Sequence, residues 1–224
     1  VINAIVQNAG QTCSAGSRVL IDELIYESVL ERLGQAFEKL RVGPAILDLD
    51  VGPLIRQSQL QRVWDFLSDA QVAGIPMVAQ GQVVDEAPET GYYQAPTLLR
   101  DVPVAHRLAQ DEVFGPVLSA MSFRDEDHAV ELANATRFGL VAGVWTRDGA
   151  RQLLTGYWWA VDGGGRYSRR SSFGVDLLHH VGIVAPGDGL IVAWVAAAPD
   201  NDPSEPRILA SRPIEGSLLL GVRP

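Results

Sequence analysis

Residues 8–18 read Asn-Ala-Gly-Gln-Thr-Cys-Ser-Ala-Gly-Ser-Arg, and residues 18–21, Arg-Val-Leu-Ile, follow as a short run of branched residues with the character of a β-strand. The stretch holds Cys13, the only cysteine in 224 residues. A single thiol forms no internal disulfide, so it is either packing or a reactive group. A reactive thiol must be reachable, which favours a tight loop with small neighbours, and Gly10, Ser14, Ala15 and Gly16 supply them. A packed thiol more often sits among Leu, Ile and Val. The residues alone leave both readings open, because thiolate reactivity depends on exposure and pKa.

Outward from this stretch the hydrophobic period changes from two to 3.6. Val29, Leu30, Leu33, Ala36, Phe37 and Leu40 predict a helix that stops near Gly43-Pro44. A second helix is expected from an Ser58 cap to Gly74, burying Leu60, Val63, Trp64, Leu67 and Ala70. Strands are predicted over 77–80, 116–123 and 141–146, with a helix over 125–134 that turns Val130 and Ala133 inward. Strands alternating with helices give the α/β class, in which loops at strand ends carry the chemistry.

Composition narrows the function. A hydrophobic content of 47% and a charged content of 20% are those of an ordinary globular protein. No apolar run reaches bilayer length and the N-terminus has no signal-peptide pattern, so a cytoplasmic protein with no membrane partner is expected. A net charge of −9 argues against nucleic acid, which needs a basic footprint. The charge is uneven: residues 1–150 hold 20 acidic and 11 basic side chains, the remainder 7 of each. His179-His180 makes a poor metal site, since neighbours point apart and no further ligand stands at useful spacing; no metal is expected. His106 and His128 are expected at the surface. Gly163-Gly164-Gly165 and Gly187-Asp188-Gly189 lack the strand and helix that frame a dinucleotide fingerprint and read as loops.

Residues 8–21 as a whole resemble the cysteine motif of the aldehyde dehydrogenase superfamily. Four further segments resemble that family in order: Asp50-Val51-Gly52-Pro53-Leu54-Ile55, Gly91-Tyr92-Tyr93-Gln94-Ala95-Pro96-Thr97, Gln110-Asp111-Glu112-Val113-Phe114-Gly115-Pro116-Val117, and Leu132-Ala133-Asn134 through Phe138-Gly139-Leu140. The resemblance implies a catalytic-domain-like α/β layer over residues 1–150, without the family's N-terminal Rossmann-like cofactor domain. It implies NAD- or NADP-dependent oxidation of a small-molecule aldehyde to an acid. Cys13 matches the nucleophile that forms the thiohemiacetal and then the thioester. Glu112 matches the residue that hydrogen-bonds the nicotinamide ribose, and Phe114 the aromatic beside the nicotinamide. Asn8 and Gln11 are expected to hold the loop.

The family's general base and oxyanion-hole asparagine precede its cysteine, where this sequence has 12 residues. Residues 151–224 form an atypical tail of unknown fold: residues 155–174 keep no period, 189–198 are apolar, and 199–206 are a proline-rich polar break. The family also implies a homo-oligomer, but the oligomerisation strand is not recognisable there. The loss of pattern is consistent with a shifted reading frame or a fusion. A chain so composed is expected to be weakly active or inactive by itself. The competing readings are a non-catalytic remnant or interaction module, and a thiol-dependent esterase.

Overall fold

The computed structural model describes residues 1–139, 141–145 and 191–195. The expectations placed on 155–174, 163–165, 179–180, 187–189 and 199–206 lie outside them.

Element order follows the alternation seen in the sequence. Helix α1 (Ile2–Val6) leads through a short turn to β1 (Arg18–Asp22), α2 (Tyr26–Phe37), β2 (Arg41–Val42), α3 (Gln57–Val72), β3 (Met77–Gln80) and β4 (Gln82–Val83). Then come β5 (Thr97–Leu99), α4 (Arg107–Gln110), β6 (Val117–Phe123), α5 (Glu126–Asn134), β7 (Val141–Trp145) and β8 (Ile191–Val195). Six strands make one mixed sheet in the order β3-β5-β6-β1-β8-β7, and β2 pairs with β4 alone. The centre is parallel: β1 lies in register with β6, Leu20 opposite Met121, and β5 with β6 on the other side. Strand β8 runs antiparallel to both β1 and β7, so five residues beyond position 150 share the sheet.

Both faces of this sheet are covered, which is why its central strands are apolar without alternation. Val19 and Ile21 of β1, Leu98 of β5 and Leu118 and Ala120 of β6 pack with Val29, Leu30, Leu33 and Phe37 of α2 and with Ile5 of α1. Leu20, Leu99, Val117 and Met121 face the opposite way and meet Leu60, Val63, Phe66 and Ala70 of α3 and Ala129, Leu132 and Ala133 of α5. Period two on each strand thus divides one apolar run between two cores.

Several boundaries differ from the sequence expectation. Helix α2 ends at Phe37 rather than near Gly43, because the chain turns at Leu40 and gives Arg41–Val42 to the small sheet, where Gln82 N–H donates to Leu40 O at 2.9 Å. Ser58 does not cap α3; the N-cap is Arg56, without a side-chain cap hydrogen bond, and Ser58 lies inside the first turn. Trp64 is half exposed, and Phe66 is buried in its place. The buried stripe runs 60, 63, 66, 70, and position 64 sits about 100° round the helix from Val63. Leu67 is partly buried against the same core. In α5 Ala133 is buried as expected, but Ala129 and Leu132 are buried rather than Val130. Asp125 caps that helix, accepting the His128 N–H at 2.8 Å. His106 and His128 are half-buried rather than exposed, and each accepts a backbone N–H, from Leu108 at 3.2 Å and Arg124 at 3.3 Å.

Candidate active site

Three successive residues between α1 and the thiol loop adopt left-handed backbone: Asn8 at φ 50°, Ala9 at φ 55° and Gly10 at φ 72°. Asn and Gly tolerate this region, but an alanine there costs about 1–2 kcal/mol, so the surrounding contacts must hold it. Asn8 Nδ2 donates to Gln11 O at 2.9 Å and Gln11 Nε2 donates to Asn8 O at 3.2 Å, a reciprocal clasp across the turn. Gly16 N–H returns the far end of the loop to α1, donating to Ala4 O at 2.8 Å. Between these ties Cys13 and Ser14 are exposed, while Gly10, Ala15 and Gly16 are buried. Small residues therefore seat the loop and the thiol stands outside it. The Cys13 N–H donates to no acceptor among the described residues.

The second part of the site is the turn between α4 and β6. Val113 is buried in the core, and Glu112 and Phe114 on either side of it are half-buried. Burial pushes the Glu112 carboxyl above its ordinary range, opposed by the charge of Arg62. Phe114 has φ 58°, an uncommon conformation for a bulky residue. Helix α3 grips this turn. Gln59 Nε2 donates to Val113 O at 3.1 Å and to Phe114 O at 2.7 Å, Arg62 Nε donates to Val113 O at 3.3 Å, and Arg62 Nη2 donates to Glu112 O. Below them a Cβ on Gly115 would stand 2.4 Å from Val63 Cγ2. Positions 59, 62 and 63 share one helix face.

The five motif segments converge. Gly10 meets Gly115 backbone to backbone; Gln11 Oε1 accepts the Ile55 N–H at 2.9 Å; Leu54 N–H donates to Tyr92 O at 2.7 Å; Thr97 N–H donates to Pro116 O at 2.9 Å. Arg18, buried, reaches Ala109 O at 3.2 Å and Ala133 O at 3.5 Å, and Gln110 Nε2 reaches Ala135 O at 2.6 Å. The thiol loop and the Glu112–Phe114 turn are joined through Gly10 and Gly115.

Gln59 and Arg62 escaped the sequence reading. Their signal is faint: polar residues flanking a buried stripe at helical spacing, with backbone carbonyls as targets that no sequence displays. An open groove of about 500 Å³, with Asn3, Gln7, Asn8, Asp50 and Pro53 in its wall, lies beside α1; neither Cys13 nor Glu112 nor Phe114 lines it. Among the described residues no group of three His, Cys, Asp or Glu is placed to hold a metal, and no helix is long and apolar enough to cross a membrane.

The α/β structure with its mixed sheet matches part of solved aldehyde dehydrogenase chains. A putative aldehyde dehydrogenase from Burkholderia cenocepacia is 71% identical with a TM-score of 0.67, over 68% of this chain and 32% of that one. The NAD+ complex of aldehyde dehydrogenase from Bacillus cereus is 33% identical with a TM-score of 0.62, over 69% and 30%. A betaine aldehyde dehydrogenase of Cereibacter sphaeroides is 39% identical over 159 residues, 68% of this chain and 32% of that protein. Residues 1–156 match the aldehyde dehydrogenase family, and the chain belongs to it. It spans about a third of the length of the curated relatives it matches.

Proposed function

We propose that residues 1–150 are the cysteine-bearing catalytic layer of an NAD(P)-dependent aldehyde dehydrogenase, with Cys13 as nucleophile and Glu112 and Phe114 at the nicotinamide end of the cofactor. The Gly10–Gly115 contact carries this reading, because it ties an exposed thiol loop to a turn that presents a carboxylate and an aromatic. The donor set fits the group: a carboxylate accepts hydrogen bonds from ribose hydroxyls, and an aromatic face packs on a flat ring. When bound, the nicotinamide supplies a hydride acceptor.

The chain's own part is covalent. The Cys13 thiolate attacks the aldehyde carbonyl carbon; the C=O pair moves to oxygen, and the Cys13 N–H is free to stabilise that oxyanion. With a bound nicotinamide to accept the hydride, the thiohemiacetal on Cys13 would become a thioester, and water would take the acyl group and return the thiol. Residues 151–224 are assigned no part in these steps.

The test feeds the purified chain an aldehyde with NAD or NADP and, separately, a chromogenic ester. Slow cofactor reduction that disappears in Cys13→Ala is expected. Ester turnover without cofactor reduction points to a thiol esterase, and inertness in both assays together with no binding of nicotinamide mononucleotide points to a non-catalytic module; either result overturns the proposal.

A further inference from the structure

Strand β1 has two edges, and they are filled differently. On one side β6 runs parallel to it, from Arg18 opposite Ser119 to Asp22 opposite Phe123; on the other β8 runs antiparallel, with Val19 opposite Ala193 and Leu20 opposite Val192. The far side of β8 carries β7, with Gly143 opposite Ala193 and Val144 opposite Val192, and among the described residues β8 is the only strand that β7 pairs with. One short segment therefore supplies both the second edge of β1 and the whole ladder of β7. Val19, Leu20 and Ile21 are buried, so the polar groups of that edge are satisfied by strand pairing rather than by water.

No tight turn places β8 there: residues 146–190 stand between it and β7, and its register is set by the two edges themselves. A strand lying between two others turns its N–H and C=O groups alternately to either side, so the edges read extended backbone rather than particular side chains. They exclude proline, which lacks the donor, and a sheet covered on both faces favours an apolar run. Ile191-Val192-Ala193-Trp194-Val195 has no proline and no charge. We propose that the space between β1 and β7 is a strand-binding slot: it recognises an extended, apolar, proline-free segment by its main chain, residues 191–195 occupy it in this chain, and it accepts the same stretch presented from outside once they are displaced. The inference rests on strand pairing and draws nothing from the chemistry assigned to Cys13.

The test uses the full chain and a labelled peptide of residues 187–200, whose binding is followed by fluorescence anisotropy. In the parent the tethered segment outcompetes a micromolar peptide. Ala193→Pro removes a ladder donor from the middle of β8 and should empty the slot. That variant should bind the peptide at least about tenfold more tightly than the parent does, and a peptide carrying the same proline at least about tenfold more weakly. Binding should also restore slow hydrogen exchange to the amides of residues 141–145. A folded variant that ignores the peptide or binds both peptides alike, or a parent that binds as well as the variant, overturns the proposal. Should Ala193→Pro fail to fold, hydrogen exchange of the parent decides: the amides of β7 and β8 should open together and ahead of those of β6, because β7 has no other ladder. Amides of β7 that stay protected after those of β8 have exchanged overturn the slot.

Discussion

Gly10 and Gly115 pack backbone against backbone, so closely that a Cβ on Gly10 would lie 2.3 Å from both the carbonyl carbon and the oxygen of Gly115. Two loops separated by about a hundred residues of sequence are thereby fixed to each other at the foot of the thiol loop. The neighbour is backbone, which cannot swing aside as a side chain can.

Gly10→Ala should therefore be severe. It adds a steric clash to a residue at φ 72°, and the two effects together cost roughly 2–5 kcal/mol. Urea denaturation of parent and variant measures the loss; a difference below about 1 kcal/mol would mean that the loops move apart without cost.

Cys13 should react with iodoacetamide in the folded protein, because it is exposed on a loop whose small neighbours take the buried positions. Mass spectrometry after brief labelling under native conditions reads this directly. Labelling that waits for denaturant would return Cys13 to the packing class.

Glu112→Gln should separate stability from binding. Burial raises the Glu112 carboxyl above its unfolded value, so its ionisation disfavours the folded state: stability is fullest below the unfolded pKa and declines as pH rises through the folded one. A neutral glutamine escapes this, so the variant should melt higher than the parent at pH 7, and the difference should close as the solution is acidified through the carboxyl range. Nicotinamide mononucleotide should bind it more weakly. A variant that melts lower at pH 7, or binds as well as the parent, contradicts the reading of this carboxylate.

Aldehyde oxidation by the purified chain should be slow, below about 0.1 s⁻¹ against an ordinary turnover near 10 s⁻¹. Among the described residues Cys13 and its N–H are the only groups assigned to the chemistry, and a general base or a second oxyanion donor each contributes on the order of a hundredfold or more. Cofactor reduction at an ordinary enzyme rate, abolished by Cys13→Ala, would show that the described residues hold more of the machinery than is assigned here.

The sequence by itself determined the period of each long element, and with it the α/β class. Apolar residues at helical spacing in residues 29–37 and the branched run in 18–21 leave little choice, because a helix buries one face every 3.6 residues while a short strand covered on both faces is apolar throughout. It also determined the order of the motif segments and the chemistry available to them, since one thiol among glycines and alanines is legible without coordinates. The tertiary structure alone decided where those segments meet. The left-handed turn at Asn8–Gly10 is held by its surroundings, the Gly10–Gly115 approach joins two backbones distant in sequence, and the side chains of Gln59 and Arg62 reach backbone carbonyls of residues 112–114 on another element. Every residue carries the same carbonyl, so nothing in the letters marks which one will be an acceptor. The same holds for Trp64 and Phe66: both are large and apolar, and only the placement of α3 on the sheet decides which one is buried.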